Sequence, residues 1–298
     1  MTGRARAARL LAGSAAATLA LLLAAGAHAG QPAAQRRPAT ADGAVEITNR
    51  AGSVNVVGWD RLEVAVSGAL GDGASEIELG SAGDRTSVEV KAFGNPMGVR
   101  STLEVHVPRR SRVRVKGFEV RISADGLAGS FQATAVEGSI AVTRGPPEVT
   151  VKTVGGSIDV AGSASRVQVE SVNGSVSVRD GGGELKAKSV NGSVTVVGRT
   201  FDRVNLRTVS GRLHFEGDLT PQAQLDARTV NGSVELRLGA GTAAQFALGT
   251  TNGRLESDFS PTAAGGVRLD RKLTFVTGAG TARVEASSVN GSVVVKKR

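Results

Sequence analysis

Ser171-Val172-Asn173-Gly174-Ser175-Val176 returns, with small changes, along most of the chain. Its copies place a glycine at Gly138, Gly156, Gly174, Gly192, Gly211, Gly232, Gly253 and Gly291. The first intervals are 18, 18, 18, 19, 21 and 21 residues; the last is 38, about two periods with an irregular detour inside. A period this short is not a domain. It is one supersecondary unit that buries its apolar face by stacking on its neighbours.

Aligning the copies on that glycine sorts the residues into columns. Two and four places after it stand Val176 and Val178 and their equivalents; five and seven places before it stand Val169 and Val167 and theirs. Nearly all members of these four columns are aliphatic or Phe, and the residues between them are mostly polar or charged. Each unit is therefore two short strands of period two on either side of a turn, with one face apolar. Glycine suits the turn because it accepts positive φ, and the preceding Asn tolerates the left-handed region. Asn173-Gly174, Asn191-Gly192, Asn231-Gly232 and Asn290-Gly291 are the structural turns on this reading.

Two all-β architectures fit. In a parallel β-solenoid each unit of about 18–21 residues is one rung, with equivalent residues about 4.8 Å apart along the axis. In an antiparallel meander each Asn-Gly is a two-residue hairpin turn. The valines two places before the glycine (Val136, Val154, Val172, Val190, Val209, Val230 and Val289) would face solvent in a hairpin, whereas a solenoid can tuck them into a corner. Eight places before the glycine, Glu148, Arg166, Glu184 and Arg203 alternate in sign, as an ion-pair ladder between stacked rungs would. The solenoid is the favoured expectation.

Residues 1–29 read as a secretory leader: Arg4, Arg6 and Arg9, an apolar stretch from Leu10 to Gly26, then Ala27-His28-Ala29 as a small-x-small cleavage site. An exported, periplasmic, cell-surface or secreted protein is expected. Loss of the three leader arginines would lower the net charge from +9 to +6. Residues 30–43 read as a polar linker, residues 44–128 as an irregular β N-terminal cap region, and residues 129–298 as the repeat solenoid. Val45 to Val56 looks like one more copy of the repeat, and Lys296-Lys297-Arg298 would place charge on the terminal edge. With 0 Cys there is no disulfide or thiolate metal site, and 0 Tyr and 1 Trp give little to stack on sugars or bases. No cofactor, nucleic acid or small-molecule substrate is indicated.

The Val-Glu-Ile opening at Val45, the Gly58-Trp59-Asp60 that follows, and the serial Ser/Thr-Val-Asn-Gly-Ser-Val units resemble the DUF4097 family of bacterial adhesin-like β-strand-repeat proteins. The resemblance runs from about Ala44 to the end. It implies an exported or envelope-associated β-solenoid and names no reaction.

Two features carry chemistry. Lys152, Glu170, Lys188, Arg207 and Arg228 share the column four before the glycine, and stacking would turn them into a mainly positive row about 20 Å long. Such a row suits an anionic envelope polymer or a membrane surface; open ends of the solenoid would allow self-association. Glu235 and Glu256 share an outward column, and on adjacent rungs their carboxyls would lie about 5 Å apart, the spacing of a retaining glycosidase. The alternative function is accordingly a polysaccharide-active enzyme using that pair. The Asn-x-Ser matches read as turns rather than glycosylation sites, and the Ser/Thr column three before the glycine as rung-to-rung hydrogen bonding.

Overall fold

The computed structural model describes residues 32–71, 74–92, 100–162, 165–260, 267–269 and 271–298. The leader read at residues 1–29 lies outside the described residues, as do residues 261–266 and 270 of the detour between Gly253 and Gly291.

The chain is a parallel β-solenoid. Val149 pairs in parallel register with Val167, Val167 with Leu185, Leu185 with Val204 and Val204 with Leu225, so residues one repeat apart lie one above another. Beyond the glycine, Ile158, Val176, Val194, Leu213 and Val234 do the same. These parallel ladders exclude the hairpin meander. All four apolar columns are buried except Leu255 and Ser257, on the outermost rung. Val45 to Val56 is indeed a rung, with Val45 on Val113 and Val54 on Ile122.

The longer repeats keep this register by absorbing their extra residues opposite the glycine corner. Pairing between Val176–Lys188 and Val194–Arg207 shifts at Gly181 and Gly183, and the next pairing shifts around Phe201. Such bulges confine the irregularity to the bend and leave the core columns aligned. Phe201, outside the four columns, is fully buried there with its ring 5.2 Å from that of Phe215.

The corner glycines have a reason that the turn argument missed. Most of them, Gly174 and Gly192 among them, do not have positive φ. A Cβ on Gly192 would collide with the carbonyl of Gly174, and one on Gly174 with the carbonyl of Gly156. At the corner a Cβ would point along the stack into the next rung's carbonyl, so only a residue without a side chain fits.

Rung order departs from chain order at both ends. Ala282–Asn290 pairs on one side with the end of Leu213–Asn231 and on the other with Ala244–Asn252. Val293–Lys297 likewise lies between Val234–Leu238 and Leu255–Ser257. In space, therefore, the Gly291 unit sits between the Gly232 and Gly253 units. Lys296 and Lys297 occupy an interior rung, not the terminal edge. At the other end Ala44–Trp59 lies between Arg112–Asp125 and an outer rung made of Arg85–Ala92 and Ser101–Pro108.

Antiparallel strands cover the N-terminal outermost rung and the first strand of the C-terminal one. Lys272–Val276 covers Ala244–Asn252, with Phe275 stacked on Phe246 at 4.7 Å. Ala74–Ala82 and Glu63–Leu70 cover the N-terminal outer rung, and Pro32–Pro38 adds to the latter. Changing strand direction ends the parallel template that a bare rung would offer to another chain.

Gly192→Ala should cost at least about 2 kcal/mol in urea unfolding, while Gly241→Ala, in open space, should stay within about 0.5 kcal/mol. Truncation after Gly280 should strip hydrogen-exchange protection from Ala244–Asn252, although those residues remain in the chain. Their main parallel partner, Ala282–Asn290, would be gone.

Candidate binding face

Three adjacent columns on one side of the corner build the candidate site. The row four before the glycine forms as expected: Lys152 pairs with Glu170, Glu170 with Lys188, Lys188 with Arg207 and Arg207 with Arg228 along the ladder. The structure adds the carboxylates that compensate it. Glu170 lies 3.1 Å from Lys152 and 3.9 Å from both Lys186 and Lys188. Asp226 accepts from Arg228 at 2.6 Å and lies 3.5 Å from Arg207. Glu285 accepts from Arg228 at 3.1 Å and from Arg283 at 2.7 Å. Six cations thus share three carboxylates, and the face keeps positive charge. Next to it runs the alternating ladder, with Glu184 between Arg166 at 3.1 Å and Arg203 at 3.5 Å.

One step closer to the corner lies the Ser/Thr column, whose side chains turn inward. Ser171 donates to the carbonyl of Gly156 at 3.1 Å, Ser189 to Gly174 at 3.0 Å, Thr208 to Gly192 at 2.9 Å and Ser288 to Gly232 at 2.8 Å. The hydroxyls reach the glycine carbonyl of the neighbouring rung rather than one another.

The next column corrects an expectation. Val136, Val154, Val172, Val190, Val209, Val230 and Val289 are not tucked into a corner; they are 37–47% exposed. Because the side chain before each valine, a Ser or Thr except for Ala135 before Val136, points inward, strand alternation points the valine out. Phe118, 56% exposed, extends the ladder: its neighbours Gly117 and Glu119 pair with Ala135 and Glu137, either side of Val136. Eight apolar side chains therefore line up over about 34 Å, taking seven steps of about 4.8 Å. Between this ladder and the cationic row lies a trough of about 530 Å³, floored by Ser171, Ser189, Thr208 and Thr229.

At the corner, the predicted turn asparagines form a partial amide ladder. Asn191 donates to Asn173 at 2.9 Å, Asn290 to Asn231 at 2.8 Å, and Asn252 to Asn290 at 2.9 Å. Ser210 interrupts it on the Gly211 rung. The Asn amide thus joins rungs, a role that turn propensity does not reveal. Gly174, Gly192, Gly232 and Gly291 stack beside these asparagines, each facing the next rung's carbonyl as described above.

Glu235 and Glu256 are not neighbours. Val294 pairs with Glu235 on one side and Glu256 on the other, so a whole rung separates the carboxylates. The expectation of a 5 Å pair fails because the last unit is inserted between theirs. Burial raises the Glu235 pKa, but the Arg237 hydrogen bond at 2.9 Å and the charges of His214, Arg237 and Lys296 outweigh it and hold the carboxyl below its ordinary value. A group held ionised is poorly suited to donate a proton as a general acid. Among the described residues no group of three His, Cys, Asp or Glu is placed to hold a metal ion.

A chain whose chemistry is spread along rows of a stacked β-repeat is a repeat-surface protein. Residues 81–296 match the family described as Toastrack DUF4097, and the chain belongs to that family. Solved structures similar to it include a "putative cell adhesion protein" from Clostridium sporogenes ATCC 15579, at 9% identity and TM-score 0.23, covering 90% of this chain and 100% of that one. A "putative lipid binding protein" from Parabacteroides distasonis ATCC 8503 is 12% identical with TM-score 0.38, covering 90% and 97%. A "putative adhesin" from the same organism is 9% identical with TM-score 0.35, covering 90% and 98%. No match was found among curated proteins.

Burial also raises the Glu170 pKa, but the hydrogen bond from Lys152 and the charges of Lys152, Lys188 and Lys186 prevail and lower it from the ordinary 4.5. A folded-state value below the unfolded one stabilises the fold above the unfolded pKa and loses that contribution as pH falls through the folded value. Stability should therefore drop below about pH 4.5. In urea titrations Glu170→Gln should be the less stable chain at neutral pH, and its deficit should shrink in acid.

Proposed function

We propose that this is an exported, non-enzymatic envelope protein, an adhesin or scaffold whose solenoid presents the cationic face to an anionic polymer of the cell envelope. One observation carries the reading: in-register stacking sets Lys152, Lys188, Arg207 and Arg228 in one row on a continuous sheet, at rung spacing from Lys188 to Arg228 and with Glu170 on the rung between Lys152 and Lys188. A polyanion with regularly spaced charges can meet such a row at several points at once, and each weak contact adds to the next. Continuous backbone pairing keeps the row straight, so little conformational freedom is lost on binding. Export rests on the leader read at residues 1–29.

The chain from Gly30 onward, titrated with polyglutamate and with polyphosphate, should bind with an affinity that falls as salt rises. Replacing Lys152, Lys188, Arg207 and Arg228 together with Gln should weaken binding by about tenfold or more at low salt. Binding that ignores both salt and the four substitutions would overturn the assignment.

A further inference from the structure

We propose that the trough between the cationic row and the valine ladder binds a long-chain anionic amphiphile, with its acyl chain along the valines and its headgroup on the cations. The inference rests on the same face as the polymer reading and names a narrower ligand for it. An unbroken row of exposed apolar side chains more than 30 Å long is unusual on a soluble surface and marks a contact site. This row is not required by the core, since the residues that fill the solenoid point the other way.

The trough is dry in character although its floor is made of hydroxyl residues. Ser171, Ser189, Thr208 and Thr229 turn their hydroxyls inward to glycine carbonyls, leaving backbone and carbon on the open side. One wall is valine; the other is the aliphatic stems of Lys152, Lys188, Arg207 and Arg228, whose charged ends reach the rim, with Glu170 between the two lysines. Its volume of about 530 Å³ falls within the range of small-ligand pockets, but it is drawn out along the rungs, which suits a chain rather than a compact molecule.

Charge decides among occupants. The excess of cations over carboxylates along one wall calls for an anion. A second copy meeting the ladder antiparallel would set one cationic row against another. In parallel, each row would meet the uncharged asparagine corners. A flat membrane would touch the two ridges and leave the trough between them unfilled. A single acyl chain with an anionic head satisfies the ladder, the trough and the row together.

Calorimetric titration of the chain from Gly30 onward with monomeric lysophosphatidylglycerols of increasing chain length tests this. Complete burial of a methylene strengthens binding about fourfold, so a half-open trough should give about twofold per added methylene. Val172→Thr, Val190→Thr and Val209→Thr together keep β-branched shapes and should weaken binding about tenfold with little effect on polyglutamate binding. Affinity independent of chain length would overturn the amphiphile site, whether or not the Thr variant folds. Retained polyglutamate binding would then leave the polymer reading standing, and its loss would remove both. Binding to phosphatidylglycerol vesicles without binding to the monomeric lysolipid would assign the face to a membrane surface. Valine-dependent dimers in light scattering without lipid would assign it to a second copy. Either result would overturn the proposal.

Discussion

The backbone-to-backbone contact at the glycine corner is the constraint on which the rest of this structure depends. Rungs of a parallel sheet stand about 4.8 Å apart, and at the corner the chain turns so sharply that one glycine lies over the carbonyl of the next. That carbonyl also receives the Ser or Thr hydroxyl of the neighbouring rung. A Cβ at the corner would push rungs apart just where the hydroxyl and Asn ladders close them. The repeated Ser/Thr-Val-Asn-Gly is thus a vertical fastening as much as a turn: hydroxyl inward, amide to amide, backbone on backbone.

Register then converts a repeated position into a continuous row, with opposite consequences for different side chains. Apolar positions become a sealed core. Charged positions would repel their own copies unless the sign alternates or a neighbouring column supplies the counter-charge. Both solutions occur side by side: Arg166, Glu184 and Arg203 alternate, while the row at Lys152 borrows Glu170 from itself and Asp226 and Glu285 from one other column. Valine repels nothing, so it can recur unbroken. The result is a face whose chemistry belongs to no single residue.

At its ends the solenoid confronts the open edge that every stacked β-structure has. In both places a unit distant along the chain is inserted beneath the outermost rung, and antiparallel strands cover all of that rung at the N-terminal end and its first strand at the other. The outermost rung at the C-terminal end therefore depends on residues that follow it in sequence. This brings distant segments into contact, which slows folding relative to nearest-neighbour stacking. It also pairs the last strand on both sides instead of leaving it at an edge.

Most of the architecture was legible from a single sequence. The repeat, the four buried columns and the alternating ion ladder follow from local periodicity, because a side chain's inward or outward direction is set by strand alternation within its own unit. The cationic row was legible for the same reason, but Asp226 and Glu285 were not, since they lie in another column and their reach across it is a matter of side-chain geometry. The exposure of Val172 and its equivalents was misread because the inward turn of Ser171 was not recognised as fixing the parity there. The reversed order of the last two units could not be read at all. Their motifs are alike, so a pairing pattern written in the repeat accepts either order, and only closure of the chain through the antiparallel cover selects one. For that reason Glu235 and Glu256, equivalent by sequence, are kept apart by Val294, whereas the core they flank was determined from the start.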